Sequence, residues 1–383
     1  MSSKNLPLFF YGTITLPVTA ISGLFLCVVQ TLGGLLFALC IWCLWLGPAI
    51  WLFYQSREQK KRGKMGILAS LGLAGILYLC CVGLAPALPK PTSAGASAHF
   101  AKPSMYTRWS IANVVPEIDQ FTFGSYLIPF VDPYLGLEKS KALRKAFLGV
   151  YRELREDPDF LSLGSVMNDA YGEVFGYPSQ VKHIYTYYPK TKREHHPKKL
   201  PVILFLHGSL GNFKGYLWVW KAFAQKYGYA IVAPSFGAGF WNHPNGLKRV
   251  KEALAFIRRQ PGYDAQRVVL AGLSNGGRGV TRAGAAFPKA FRALVFLSAV
   301  IEYFQVDNSQ FITSWKHRPV FILHGDKDLR IPIEDITLIT NLMRKNQVKV
   351  STYRMKEEDH FLFFAKRNEA ITLLGKWLQG QKL

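Results

Sequence analysis

Ser274 lies in the run Gly272-Leu273-Ser274-Asn275-Gly276, between the aliphatic stretch Val268–Ala271 and a helix-compatible run from Arg278 to Phe287. Strand, G-x-S-x-G and helix in that order is the setting in which the pattern carries chemistry, because a serine on a sharp turn has its hydroxyl lifted clear of a sheet. The positions two before and two after it must lack side-chain bulk, and glycine meets that demand at both. The N-terminus of the following helix favours negative charge developing beside the hydroxyl. A serine is nevertheless a weak nucleophile and needs a base.

Candidate partners follow in chain order. His324-Gly325-Asp326-Lys327-Asp328-Leu329-Arg330-Ile331-Pro332 comes after one apolar strand pattern, and Glu358-Asp359-His360-Phe361 after another. In such a set Ser274 would attack a carbonyl, and His360 would take its proton and later pass it to the leaving group. A carboxylate would hold the imidazole in the required tautomer. Asp326 and Asp328 are alternatives for that carboxylate. Asp359, adjacent to the histidine, would point away from its ring.

The elements that must position these groups are legible as an alternation. Val181–Tyr188 alternates like an edge strand, and Pro201–Leu206 is a fully apolar strand ending in His207-Gly208-Ser209-Leu210-Gly211-Asn212. Then come a helix (Trp218–Tyr227), a strand (Ala230–Pro234), a helix (Gly246–Arg259) and the strand into Ser274. Beyond the serine are strands Ala293–Leu297 and Val320–Leu323, helix Ile333–Lys345, strand Val348–Arg354 and a closing helix Phe361–Leu378. Apolar strands alternating with helices predict an α/β fold, a mostly parallel sheet covered on both faces.

With these motifs, residues 181–383 resemble the α/β-hydrolase superfamily, nearest its dienelactone-hydrolase and prolyl-oligopeptidase-like serine hydrolases. The order Ser274, Asp328, His360 is the order of that superfamily. The resemblance assigns the second aspartate of H-G-x-x-D-x-x-[IV]-P, Asp328, as the acid. It also implies an oxyanion hole made by the backbone N–H groups of Asn275 and Ser209. His207 and His324 read as strand-end hydrogen-bonders. No cofactor or metal is needed for this chemistry. His195-His196, in the basic loop Lys190–Lys199, would point different ways and have no third ligand nearby. About 20 residues join the strands ending at Leu297 and beginning at Val320, too few for an independent cap. Cover must come from Phe236–His243 or from residues 101–180. Phe240, Trp241, Tyr303 and Phe304 are candidate pocket walls, with ordinary core packing the alternative for each.

The N-terminal quarter is different in kind. No charged residue occurs between Lys4 and Arg57. Since a span needs about 20 apolar residues, that run suits two spans, near Leu8–Val29 and Leu35–Tyr54, with Gly33-Gly34 as the turn. Met65–Leu88 is a further span, so residues 1–89 read as a transmembrane region of two or three helices. The apolar core is too long for the roughly 7–15 residues of a signal-peptide core. Five basic residues and one acid lie in Ser56–Lys64, which by the positive-inside rule puts that loop in the cytoplasm and the rest of the chain in the periplasm or lumen. All five cysteines (Cys27, Cys40, Cys43, Cys80, Cys81) lie in the apolar blocks, where small packing residues are the simplest reading.

Residues 90–101, rich in Pro, Ser, Ala and Gly, read as a flexible linker. Residues 102–180 form a membrane-proximal extension. Its amphipathic helix Leu137–Glu156 carries the stripe Leu143, Phe147, Val150, Tyr151 and Leu154, with packing on a domain the favoured reading and lying on an anionic membrane the alternative. The chain carries 47 basic and 24 acidic residues, and beyond residue 89 it has 41 basic against 23 acidic, a net of +18. That excess suits an anionic membrane surface. No recognised nucleic-acid module appears, so nucleic acid is not an expected partner.

The functional expectation is a membrane-anchored serine hydrolase cleaving an ester or thioester, with an acyl-ester substrate of lipid or amphiphile type. A prolyl-oligopeptidase-like peptidase is less favoured because no propeller precedes the domain. An acyltransferase uses the same acyl-enzyme, and a non-catalytic hydrolase-fold binding module would not need all three candidate residues.

Overall fold

The computed structural model describes residues 6–57, 59–174, 176, 183–190 and 199–381. The chain divides into two compact units, Met1–Ala87 with Thr107–Arg144, and Leu88–Tyr106 with Lys145–Leu383.

The first unit is helical. Helices α1 (Leu6–Val28), α2 (Leu32–Ser56) and α3 (Lys60–Leu84) follow one another closely. Of these, α2 and α3 are long and apolar enough to cross a membrane, while the apolar part of α1, Thr15–Val28, is shorter. Small residues let α2 and α3 approach: a Cβ on Gly63 would lie 3.2 Å from the Trp51 carbonyl, and one on Gly47 would lie 3.2 Å from Ser70 Cβ. Cys40 and Cys81 are buried between helices, Cys40 Sγ reaching the Ala74 carbonyl at 3.2 Å. They pack rather than pair.

The turn expected at Gly33-Gly34 falls instead at residues 29–31, before α2 begins. Thr31 caps α2 by accepting from the Gly34 amide at 3.0 Å. The buried Asp119 accepts hydrogen bonds from the Gln30 amide and the Thr31 hydroxyl. Gly34 is small because the Asp119 carboxylate lies where its Cβ would be. The basic run is also partly helical. Lys60, Lys61, Arg62 and Lys64 form the start of α3 rather than a loop.

The second unit is built on an eight-stranded sheet in the order β1-β2-β4-β3-β5-β6-β7-β8. Its strands are β1 (Gly95–Phe100), β2 (His183–Tyr188), β3 (Leu200–Leu206), β4 (Ala230–Pro234), β5 (Tyr263–Leu273), β6 (Ala293–Leu297), β7 (Pro319–Gly325) and β8 (Lys349–Met355). β1 and β2 run antiparallel to their neighbours, and β3 to β8 are mutually parallel. The near-continuous burial of β3 and of Val268–Leu273 in β5 reflects helices on both faces.

On one face Val202, Leu204 and Leu206 meet helices Pro244–Arg259, Gly276–Ala286 and Ile333–Lys345 in a single core with Trp241, Phe311 and Trp315. On the other, Phe205 stacks with Phe363 and meets Trp220 at a tilt, and Phe321 meets Trp377 at a tilt. The amphipathic helix, Leu137–Arg155, buries Leu143, Val150, Tyr151 and Leu154 as its stripe requires.

Residues 95–100 are not linker but the outer strand β1, so a freely coiling 12-residue tether over 90–101 does not exist. The alternation at 183–188 does not mark an edge either, because β1 covers β2. A ladder needs only backbone groups, and the small Ala96 and Ala98 fit over Tyr187 and Tyr185. His99 Nε2 then reaches Thr186 Oγ1 at 3.0 Å, and the Phe100 ring meets His183 edge-on. The closing helix is also split, into Leu362–Ala365 and Arg367–Gly380.

Candidate active site

β5 runs out of the core and turns at Ser274, whose φ of 52° lies in the left-handed region that non-glycine residues seldom adopt. The strain is held from several sides. The Ser274 amide donates to the carbonyls of Leu297 and Ser298, and its carbonyl accepts from Gly277 and Val300. Bulk is impossible at the flanking glycines. A Cβ on Gly272 would lie 2.6 Å from Val280 Cγ2, and one on Gly276 would lie 2.9 Å from the His207 carbonyl.

β7 and β8 bring in the other two side chains. His360 follows β8, and its Nε2 lies 2.9 Å from Ser274 Oγ. Its Nδ1 lies 2.8 Å from Asp328 Oδ2, just beyond β7. The second Asp328 oxygen accepts from the amides of Arg330 and Ile331, at 2.9 and 3.0 Å. Burial raises the Asp328 pKa, but the hydrogen bond and charge of His360, with the Ile331 amide, outweigh it and hold the carboxyl below its ordinary value. Ser274, Asp328 and His360 are thus brought together. Asp326 is not among them, since it accepts from the Glu357 amide at 2.6 Å on an adjoining turn. Asp359 is likewise occupied locally, with the Phe361 amide.

His324 and His207 are both fully buried. His324 donates from Nε2 to the Ile331 carbonyl at 2.8 Å, and burial keeps its pKa low despite that bond and Asp328. It therefore supports the Asp328 loop as a neutral ring. His207 donates from Nδ1 to the Gly208 carbonyl at 2.7 Å and accepts from the Phe236 amide at Nε2, 3.0 Å away. Burial, partly offset by the Gly208 carbonyl, pushes its pKa down to about 4.

Ser209 and Asn275 are adjacent, Asn275 Nδ2 donating to Ser209 Oγ. Among the described residues neither backbone N–H has an acceptor. Two free amides beside a nucleophile-type serine can receive an anionic oxygen.

The loop carrying Ser209 is itself gripped by the turn Phe236–Trp241. Trp241 Nε1 donates to the His207 carbonyl at 2.8 Å. Gly239, at φ 88°, packs against the Gly208–Ser209 peptide, where a Cβ would lie 3.0 Å from the Gly208 carbonyl carbon. Trp241 is a buried core residue, not a pocket wall, whereas Phe240, Tyr303 and Phe304 are exposed. Behind that turn, Asp169 Oδ2 accepts from the Gly237 amide at 3.1 Å and Glu173 Oε2 from Ala238 at 2.5 Å. Sequence reasoning missed both acids. They lie in the short helix Asn168–Val174, with no motif around them to signal the contact.

Among the described residues no group of three or more His, Cys, Asp or Glu side chains could hold a metal ion. His195 and His196 lie outside the described residues.

The family model for the dienelactone hydrolase family matches residues 185–373. No curated protein matches the chain. Among solved structures, a thermostable esterase is similar at 19% identity and TM-score 0.41, covering 52% of this chain and 60% of its own. A hyperthermophilic esterase from the archaeon Pyrobaculum calidifontis is similar at 14% identity and TM-score 0.43, covering 53% of this chain and 80% of its own. Est1E from Butyrivibrio proteoclasticus is similar at 16% identity and TM-score 0.42, covering 52% and 94%. This chain therefore spans less than two thirds of the length of the thermostable esterase.

Proposed function

We propose that this chain, whose residues 185–373 match the family model of the dienelactone hydrolase family, is a membrane-anchored serine hydrolase that cleaves an ester or thioester through an acyl-enzyme. The observation that carries the reading is the hydrogen-bonded series Ser274 Oγ, His360 Nε2, His360 Nδ1, Asp328 Oδ2, with both links under 3 Å. Ser274 Oγ attacks the acyl carbon as its proton passes to His360 Nε2. Asp328 keeps the other ring proton on Nδ1 and offsets the imidazolium charge. The carbonyl oxygen becomes anionic and is received by the amides of Asn275 and Ser209. His360 then protonates the departing alcohol or thiol, and the same groups, run with water, release the acid.

The reaction is tested on the full chain in detergent with a fluorophosphonate probe, followed by a panel of esters and thioesters. Wild type labels and turns over, and Ser274→Ala loses both, its rate falling by roughly four to six orders of magnitude. Labelling undiminished in Ser274→Ala would remove the assignment.

We propose further that α2 and α3 anchor the chain and that residues 101–383 lie on the extracytoplasmic side. Five basic residues within Ser56–Lys64, against Lys90, Lys102 and Arg108 beyond α3, support that orientation. The net +18 beyond residue 89 suits an anionic lipid surface and an amphiphilic acyl substrate. Protease digestion of sealed, oriented vesicles tests it. Digestion from the cytoplasmic face alone would reverse the orientation.

A further inference from the structure

We propose that Asp169 and Glu173 are positioning residues for the backbone amide of Ser209, acting through the turn Phe236–Trp241. The proposal rests on the reading of Ser209 as an oxyanion donor. Neither carboxylate touches the reacting groups described above. Each instead holds an amide of the turn that covers the Gly208–Ser209 peptide.

The chain of contacts is continuous. Asp169 is almost fully buried, and it accepts from Gly237; Glu173 accepts from Ala238, the next residue. Gly237 and Gly239 are both left-handed, at φ 43° and 88°. Glycine is free in that region and equally free outside it, so the turn is soft by itself, and two charge-assisted hydrogen bonds hold it in this conformation. The turn closes on itself through Gly239 N–H to the Phe236 carbonyl at 2.8 Å. From there Gly239 presses on the Gly208–Ser209 peptide, the Phe236 amide fixes His207, and Trp241 holds the His207 carbonyl.

The same short helix touches the serine loop directly. A Cβ on Gly211, at φ 102°, would lie 2.7 Å from Ala170 Cβ and 3.2 Å from Met167 Sδ. Helix Asn168–Val174 is thus wedged against both the loop that carries the amide and the turn that covers it. Arg249, buried on helix Pro244–Arg259, is paired with Glu252 at 3.0 Å and supplies positive charge that acts on Asp169.

An oxyanion donor is useful only where it is aimed at the charged oxygen rather than at the ground-state carbonyl. A displacement of about 1 Å can cost about 100-fold in rate. Loosening the turn should therefore lower kcat and leave KM nearly unchanged.

The test compares Glu173→Ala, Asp169→Ala, their double variant and the conservative Glu173→Gln in the full chain. Against an activated ester, the double variant should lose about 10- to 100-fold in kcat with KM within about twofold. A boronic acid that mimics the tetrahedral state should bind more weakly by the same factor. Glu173→Gln, which still accepts from Ala238, should recover most of the single-variant loss. Unchanged kcat, or a loss confined to KM, overturns the proposal. A wild type that cleaves no ester and takes no fluorophosphonate defeats the proposed function instead. Amide hydrogen exchange over residues 207–212 and 236–241 then still decides the brace: it quickens in Glu173→Ala if the brace holds, and unchanged exchange overturns it.

Discussion

The side chain of Asn275 donates to Ser209 Oγ at 2.8 Å, tying the loop after β3 to the residue that follows Ser274. One bond joins the two residues proposed to present the oxyanion amides. Asn275→Ala and Ser209→Ala should each lower kcat by up to about tenfold, the worth of one ordinary hydrogen bond. The double variant should be no worse than either single one, because both remove the same bond. Additive losses in a double-mutant cycle would show that the link is idle.

The two aspartates of the loop after β7 should behave very differently. Asp328→Asn presents His360 in the wrong tautomer and should cost about 10⁴-fold in kcat. Asp326→Asn touches only the turn at Glu357 and should change kcat little. Parallel kinetics on the two variants decide it, and the opposite ranking would move the acid role to Asp326.

Gly239→Ala carries two penalties, a left-handed backbone and a Cβ driven into the Gly208 peptide. It should destabilise by about 1–3 kcal/mol and depress kcat further than its stability loss explains. Gly228→Ala is the matched control. It has φ 72° with nothing within 4 Å of a new Cβ, so it should lower the melting temperature without altering kcat.

Stability should fall as the pH drops below about 6.5. Burial lowers the pKa of His99 and His207 to about 4 and that of His183, beside Arg249, to about 3. Between pH 6.5 and about 4 the unfolded chain therefore binds more protons than the folded one. Each histidine then removes about 1.4 kcal/mol per pH unit as the pH drops. Asp328, with its pKa lowered, adds to the loss only below 3.8. Urea unfolding at pH 7 and pH 5 measures the slope, and His99→Asn should lessen it by about one such increment. A flat profile over that range would contradict the burial of all three rings.

The parts of the fold that the sequence discloses are those set by local pattern. Apolar runs such as Val202–Leu206 and Leu294–Leu297 dictate buried strands, and Gly272 and Gly276 mark the turn at Ser274. The meeting of Ser274, His360 and Asp328 follows from parallel strands that deliver their C-terminal ends to one edge. What stays hidden depends on pairing across the chain. Residues 95–100 have linker composition, and only the exposed side of β2 makes them a strand. Asp169 and Glu173 belong to the same class, since nothing around them hints that their acceptors serve amides some 65 residues onward. At Gly33-Gly34 the glycines are needed for closeness to Pro116 and Asp119 respectively, which looks the same in sequence as a need for a turn.

The second unit takes up the chain at Leu88, gives it back to the first at Thr107 and recovers it at Lys145. No single cut can therefore separate the helical unit from the unit that carries the sheet. An expression fragment begun at residue 102 or 181, where composition invites a boundary, would strip away β1 and bare a sheet edge prone to aggregation. One begun at Leu88 keeps the sheet whole but carries residues 107–144 without the helices they fold with. A fragment holding the sheet unit alone would need that excursion replaced by a short bridge, not merely a later start.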